Sequence, residues 1–419
     1  MHIYLDSVGC RLNWSEIEIL ARQFTAAGCT VVSGPEKADM CVINTCAVTA
    51  RAERKTRRQV RSLHRQNPDA RIAVVGCYPT LRPQASASFP GVAWVVPNAK
   101  KGRVAEIVGA ASQEVDTCPL DVRQSTLRTR AFIKVQDGCD NHCTYCIIRS
   151  LRGPSRSRPS ADITAEVRKV VEEAGCQEAV LAGASLGAYG RDLGLPGGLH
   201  ALVETILAET DLSRLRLSSL EPWDIDESFF ELWRDSRLCR QIHLPLQAGC
   251  NATLRRMGRP ITTEGFAHLV EAARAAIPDV AVTTDVLVGF PGEDEDAFHE
   301  SYQSVERIGF AKLHVFPYSP RPGTPAVKMP HQVPRQVRDE RARRMRQLGA
   351  LQRRRFQDRF LGQELEVLWE RQARDGRWTG WTDNYIRVIA PAEADLYGRV
   401  TRTRLLTLEE DHLKGEVLL

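Results

Sequence analysis

The stretch Gln136-Asp137-Gly138-Cys139-Asp140-Asn141-His142-Cys143-Thr144-Tyr145-Cys146 decides how the rest of this 419-residue chain is read. Its cysteines stand at C-x3-C-x2-C spacing on a short loop. An alternating apolar run before it, Ala131 to Val135, reads as a strand. Three thiolates on one small loop can ligate three irons of a [4Fe-4S] cube and leave the fourth iron open to a substrate or cofactor. Structural zinc wants four closed ligands, usually as paired C-x2-C units, and no second pair follows. A disulfide is disfavoured too, since three is odd and the chain shows no export signal.

On the N-terminal side, residues 1 to about 120 alternate strand and helix patterns, which predicts a parallel sheet with helical crossovers. Strand-like runs at His2–Val8, Met40–Asn44 and Arg71–Val75 are each followed at once by a cysteine: Cys10, Cys46 and Cys77. In a parallel sheet those positions share the carboxyl edge, where open α/β sheets bind ligands, so three distant thiols are expected to converge. The plain alternative is three ordinary buried cysteines. Cys41 lies inside the second strand and reads as core; the other cysteines share no spacing.

On the C-terminal side the alternation continues from Ala131 to Tyr318. Expected strands are 131–136, 178–183, 214–220, 241–246, 281–289 and 312–318. Six strands fall short of a closed eight-stranded barrel and fit an open (β/α)6 one. At its strand ends stand Gly183, Glu221 and Gln247, where backbone can approach a ligand and side chains can hydrogen-bond it. A loop-stabilising role is the simpler reading of each alone. His243, inside a strand pattern, reads as a satisfied core histidine.

The cysteine loop resembles the radical S-adenosylmethionine (SAM) signature. With Ile147–Arg149 and Leu151-Arg152-Gly153-Pro154-Ser155-Arg156-Ser157-Arg158 it resembles the methylthiotransferase branch. Gly9-Cys10-Arg11-Leu12-Asn13, Asn44-Thr45-Cys46 and Gly76-Cys77-Tyr78 are similar to that family's auxiliary-cluster pattern, with Pro79-Thr80 replacing the usual residues after Cys-Tyr. The resemblance implies two [4Fe-4S] clusters, one held by Cys139, Cys143 and Cys146 and cleaving SAM, the other held by Cys10, Cys46 and Cys77 and carrying sulfur. It places Tyr145, Gly183, Glu221 and Gln247 around SAM, and it requires an electron donor such as flavodoxin or ferredoxin.

Pro317 to Pro334 is Pro-rich and reads as a stiff linker. Arg335–Arg359 follows as an arginine-rich helix, and Arg51–Arg65 forms a second basic helix just beyond Cys46; both suit phosphate contact, although a solvated face is the common fate of such helices. From Gln363 onward, about five short strands suggest a small antiparallel barrel of oligonucleotide-binding type. Gly380-Trp381-Thr382-Asp383-Asn384-Tyr385 resembles the TRAM domain. Trp378, Trp381 and Tyr385 beside Arg387 are candidates for stacking on unpaired bases, or else fill the barrel core.

The chain is therefore read as α/β in four segments: a cluster-binding domain at 1–122, a radical SAM domain at 128–330, a basic helix at 335–359 and a TRAM barrel at 360–419. Composition is 43% hydrophobic and 26% charged, with net charge +5. No apolar run approaches the ~18 residues of a membrane span, and the N-terminus lacks a basic leader, which points to the cytoplasm. What the resemblance implies is a tRNA methylthiotransferase acting at C2 of an adenosine beside the anticodon. The segments Cys146-Ile147-Ile148 and His314-Val315-Phe316-Pro317-Tyr318-Ser319 look most like enzymes acting on N6-threonylcarbamoyladenosine-37. An arginine of the 149–158 segment is then expected to meet the threonyl carboxylate. The alternatives are N6-isopentenyladenosine-37, a ribosomal-protein aspartate, or a non-catalytic Fe–S protein that senses redox state or binds RNA.

Overall fold

The computed structural model describes residues 1–110 and 129–418. The boundary expected between 122 and 128, and Cys118, lie outside the described residues.

The N-terminal unit is a five-stranded parallel sheet in the order β2-β1-β3-β4-β5. Its strands are β1 (His2–Ser7), β2 (Thr30–Val32), β3 (Met40–Thr45), β4 (Arg71–Gly76) and β5 (Val92–Pro97). The expected strands β1, β3 and β4 lie side by side at its centre. The two unexpected strands flank them as edges, β2 short and β5 half-exposed, and such runs carry weak patterns. Helix α1 (Arg11–Ala26) buries Leu12, Ile17, Leu20 and Phe24 against the sheet. Helix α2 (Ala50–Gln66), capped by Thr49, buries only Glu53, Thr56, Val60 and Leu63. Arg51, Arg54, Lys55, Arg58, Arg61 and Arg65 all face outward from it. Helix α3 (Cys77–Leu81) starts directly on β4.

The central unit holds β6 (Arg130–Lys134), β9 (Glu178–Ala182), β10 (Arg214–Leu217), β11 (Gln241–His243), β12 (Ala281–Val288) and β13 (Lys312–Pro317). A short hairpin, β7 (Gln136–Asp137) with β8 (Arg156–Ser157), flanks the cysteine loop. The six parallel strands form two three-stranded halves joined by the bridges Leu215–Leu238 and Ser219–His243. The result is an open six-stranded barrel, with helices Ser160–Glu172, Gly198–Glu209, Thr263–Ala276 and Glu295–Ile308 between strands.

The Pro-rich segment is not a spacer. Arg321 is buried with its guanidinium on Glu53 of α2 and 3.2 Å from the Ala47 carbonyl. Farther on, the Ala326 N–H donates to the Thr144 carbonyl of the cysteine loop at 2.9 Å. The segment thus straps the N-terminal unit to the loop. The arginine-rich helix, Arg335–Asp358, likewise has an inner face: Ala342, Met345 and Leu348 join the central core, and Arg341 is buried against Glu293 at 2.9 Å.

The C-terminal strands β14 (Glu364–Gln372), β15 (Arg377–Thr382), β16 (Arg387–Pro391), β17 (Val400–Glu409) and β18 (His412–Val417) close a barrel in the order β14-β15-β16-β18-β17. It departs from the antiparallel expectation at one seam, since β16 and β18 run parallel. Nor do all three of its candidate aromatics lie free for bases. Trp378 is core, while Trp381 and Tyr385 stack on each other at 4.6 Å. Tyr385, at φ 65°, faces Arg11, Arg130 and Arg216, whose guanidinium carbons lie 5.3, 5.7 and 4.8 Å from its ring centre. Arg216, fully buried on Glu178 at 2.7 Å, also donates to the Asp383 carbonyl at 2.8 Å, and Arg240 pairs with Asp383 at 2.6 Å. The barrel is seated on the foot of the central strands through these arginines. Among the described residues no helix is long and apolar enough to cross a membrane.

Burial alone would raise the Tyr385 phenol, but Arg11, Arg130 and Arg216 outweigh it and bring it down to about 7. Its folded value is depressed, so its contribution to the docked state is full above the ordinary tyrosine value near 10 and is lost as pH falls through about 7. An ultraviolet titration of the native protein is expected to show one tyrosinate forming near pH 7, absent in Tyr385→Phe. A titration with no such low-pH step would contradict this.

Candidate active site

Cys10, Cys46 and Cys77 stand at the carboxyl ends of β1, β3 and β4, three adjacent strands, so neighbouring strand spacing of about 4.8 Å brings them together. The two Gly-Cys steps have a steric cause. Gly9 (φ 147°) would place a Cβ 3.0 Å from that of Cys46, and Gly76 (φ 103°) would place one 2.5 Å from Asn44 Oδ1. Only glycine lets the strand ends close this far. Asn98 Nδ2 lies 3.3 Å from Cys77 Sγ, and the Cys10 thiol lies 3.6 Å from Asn13 Oδ1.

Cys139, Cys143 and Cys146 lie on the expected loop, which is held by backbone from distant segments. The Cys139 N–H donates to Gly153 at 3.2 Å and the Thr144 N–H to Met257 at 2.9 Å. Arg259 reaches into this loop. It donates to Glu221 at 2.9 Å and to the Tyr145 hydroxyl at 3.4 Å, and it lies 4.0 Å from Cys143 Sγ, with Trp223 under its guanidinium at 4.5 Å. Glu221 and Tyr145 are thereby brought to the cysteines. Tyr145 packs edge-on to Phe290. Gly183 follows β9 two residues before Ser185, which Asn141 of the loop contacts at 3.4 Å. Gln247 takes a left-handed φ of 71°, a costly conformation for a side-chain-bearing residue, and its backbone bridges to Val286.

The two cysteine groups are tied by one buried charge. Glu16 of α1 meets Lys101 at 2.6 Å, Arg152 at 2.9 Å and Lys134 at 3.1 Å, and accepts from Asn44 at 2.9 Å. Arg152 continues to Asp137 at 2.8 Å and to Asn13 Oδ1 at 2.9 Å. Burial would raise the Glu16 carboxyl, but Lys101, Arg152 and Lys134 prevail and hold it well below the ordinary carboxylate range. The arginines of the 149–158 segment are therefore largely committed. Arg152 serves this network, Arg158 pairs with Glu166 at 2.7 Å, Arg149 lies against His142, and Arg156 is exposed.

Arg259 and Glu16 escaped the sequence reading. Nothing in Met257-Gly258-Arg259-Pro260 relates to the cysteine spacing. Glu16 carried a readable sign, because Asn13, Glu16 and Leu20 share the helical stripe that α1 buries, and polar residues there are unusual.

A cavity of about 290 Å³ opens between Cys10, Arg11 and Leu12 on one side and Ala182, Gly183, Ser218 and Ser219 on the other. Its floor and far wall are Gln241, His243, Thr283, Asp285, Lys312, His314 and Tyr385. His243 is thus a wall of the cavity as well as a buried strand residue. Arg11 and Lys312 have no carboxylate partner among the described residues.

Burial pushes the thiols of Cys46 and Cys146 up to about 12, helped by Cys77 and by Cys143 respectively. Each set offers three sulfur donors converging from a strand edge or a short loop and leaves one corner without a protein ligand, the donor chemistry of an iron cube with one open iron.

Residues 2–96 match the uncharacterized protein family UPF0004 and residues 133–305 the Radical SAM superfamily. The chain is 34% identical to the threonylcarbamoyladenosine tRNA methylthiotransferase MtaB of Bacillus subtilis, over 99% of this chain and 96% of that protein. It is 32% identical to the tRNA-2-methylthio-N(6)-dimethylallyladenosine synthase of Syntrophotalea carbinolica, over 99% of both chains. Its fold is similar to that of the radical SAM methyltransferase TsrM from Kitasatospora setae, with TM-score 0.57 and 14% identity over 78% of this chain and 75% of that one. The chain belongs to the radical SAM methylthiotransferase family. That membership implies a [4Fe-4S] cluster and SAM, and the N-terminal cysteines are consistent with a second cluster.

Removing one partner of a buried ionic set strands the others. Glu16→Gln is therefore expected to cost about 3–5 kcal/mol in urea unfolding. Because the folded Glu16 value is depressed, its contribution is full above about pH 4.5 and is lost as pH falls below, and the variant should lack that acid-side loss. An unchanged unfolding curve would refute the role given to this residue.

Proposed function

We propose that this protein is a cytoplasmic tRNA methylthiotransferase that converts N6-threonylcarbamoyladenosine-37 to its 2-methylthio derivative. The observation that carries the choice of base is the cavity beside Cys10. Lys312 lines it without a carboxylate partner among the described residues, and Arg11 beside it meets the Tyr385 ring but no carboxylate, so the pair suits the carboxylate of a threonylcarbamoyl group. A dimethylallyl group, by contrast, offers these cations no anion, and leaving them unpaired against it is costly.

Cys139, Cys143 and Cys146 would hold the SAM-binding cluster, and Cys10, Cys46 and Cys77 the auxiliary one. When bound, these groups supply a 5'-deoxyadenosyl radical and a transferable sulfur. The chain's own contribution is placement. Arg259 orients Glu221 and Tyr145 over the loop for contact with SAM, with Gly183 and Gln247 at the neighbouring strand ends. The Glu16–Arg152 network fixes the separation of the two cysteine groups, and Arg11 and Lys312 draw the anionic base between them. The exposed basic face of α2, one turn beyond Cys46, suits the backbone of an anticodon loop, whose unpaired adenosine can turn into the cavity. A small reductant protein such as flavodoxin or ferredoxin would supply the electron.

Mass spectrometry of tRNA nucleosides from a deletion strain is expected to show loss of the 2-methylthio-threonylcarbamoyl nucleoside, restored by the wild-type gene. Lys312→Met and Arg11→Met should restore about tenfold less while still releasing 5'-deoxyadenosine from SAM. Loss of the isopentenyl derivative instead, or unchanged tRNA with a modified ribosomal protein, would overturn the choice of substrate. Anaerobically reconstituted protein should carry about eight irons, and the Cys10, Cys46 and Cys77 triple alanine variant about four. Four irons in both would remove the second cluster.

A further inference from the structure

Three side chains of the cavity wall have no role in the function proposed above. Asp285, central in β12, pairs in register with His314 of β13, and His243 ends β11 opposite Thr283, two residues earlier, so three adjacent parallel strands bring the side chains to one cavity inside the barrel. One ligand atom from each lies within 4.8 Å of the other two.

The spacing is informative. His243 Nε2 is 3.4 Å and His314 Nδ1 is 3.3 Å from the same oxygen, Asp285 Oδ1. A hydrogen bond between imidazole N–H and carboxylate settles near 2.8 Å. Ligand atoms around a tetrahedral first-row ion, with bonds of about 2.0–2.1 Å, stand about 3.3–3.4 Å apart. The two edges at Asp285 Oδ1 are of the second length, and the third, between the histidine nitrogens, is within 4.8 Å.

The tautomer agrees. His243 Nδ1 lies 2.9 Å from Thr283 Oγ1, which also accepts from Gln241 Nε2 at 3.2 Å and faces the Ile242 carbonyl at 3.4 Å. With its own proton directed at that carbonyl, the hydroxyl accepts from Nδ1–H. His243 Nε2 then turns a lone pair toward Asp285, and a cation, either a proton or a metal ion, must stand between them. An imidazole whose outer nitrogen is fixed by a hydroxyl or carbonyl is the usual support of a metal-binding histidine. His314 is half-exposed to the cavity, leaving a path for exchange.

We propose that His243, Asp285 and His314 form a divalent-cation site of the two-histidine, one-carboxylate kind, suited to zinc, with its remaining coordination position open to the cavity. Water, or an oxygen of the molecule the cavity binds, would complete it. The site depends on neither cysteine group, and its test needs no turnover.

The test uses the anaerobically reconstituted full chain, both cysteine groups loaded with iron, equilibrated with micromolar zinc chloride and desalted. Wild type is expected to retain about one zinc per chain, while Asp285→Asn and His314→Gln, both close in shape to the native residues, retain none at equal iron content. Thr283→Val should weaken zinc retention about tenfold. Zinc-edge X-ray absorption should show only nitrogen and oxygen neighbours, with imidazole scattering. Equal zinc in wild type and both variants, no zinc in wild type, or a sulfur shell would each overturn the site; the first and last would place the zinc elsewhere, and the second would leave a shared proton between Asp285 and the histidines.

Discussion

Burying a carboxylate is expensive, and Glu16 is among the most deeply buried charges of the molecule. It is tolerable only because Lys101, Lys134 and Arg152 converge on it from three segments. These segments are the turn after β5, the first strand of the central barrel and the short helix Ile148–Arg152 behind the cysteine loop. Any displacement of the N-terminal sheet relative to the barrel would pull at least one of those pairs apart in a low-dielectric interior. The interaction adds little net stability over an apolar core of equal volume. What it gives is a fixed distance between one trio of thiols and the other.

That fixity is repeated at the other joints. Arg321 on Glu53 holds the Pro-rich strap to α2, Arg341 on Glu293 pins the long basic helix, and Arg216 on Glu178 seats the terminal barrel. Each joint is an arginine set against a carboxylate, with further donors spent on backbone carbonyls. A planar guanidinium with five N–H groups can serve both sides of a domain boundary at once. The arginine-rich composition, which by itself suggests only nucleic-acid contact, is thus divided between inner joints and the outer face of α2.

Much of this was legible in the sequence. The C-x3-C-x2-C loop and the three strand-end cysteines depend on local spacing and on strand–helix alternation, and the structure brings each trio together. The six central strands fall where their apolar runs stand. Strand β2 was missed because it is only three residues long, and β5 because an edge strand is half-exposed, so its pattern is faint. Arg259, Glu16 and the strap were missed because their meaning lies in contacts between residues far apart along the chain. Tyr385 misled for a related reason. An aromatic beside arginines in a presumed RNA-binding barrel has the same sequence signature whether it faces solvent or a neighbouring domain.

The Tyr385 phenol resembles a keystone set from the far end of an arch. Arg11, Arg130 and Arg216 come from the N-terminal unit and from two strands of the central barrel, and the ring they enclose arrives from the last fifth of the chain. The terminal barrel is therefore no detachable handle. A chimera given the corresponding module of a distant relative without that tyrosine would inherit three crowded guanidiniums at the bottom of its cavity. It would have to be redesigned from the receiving side as well.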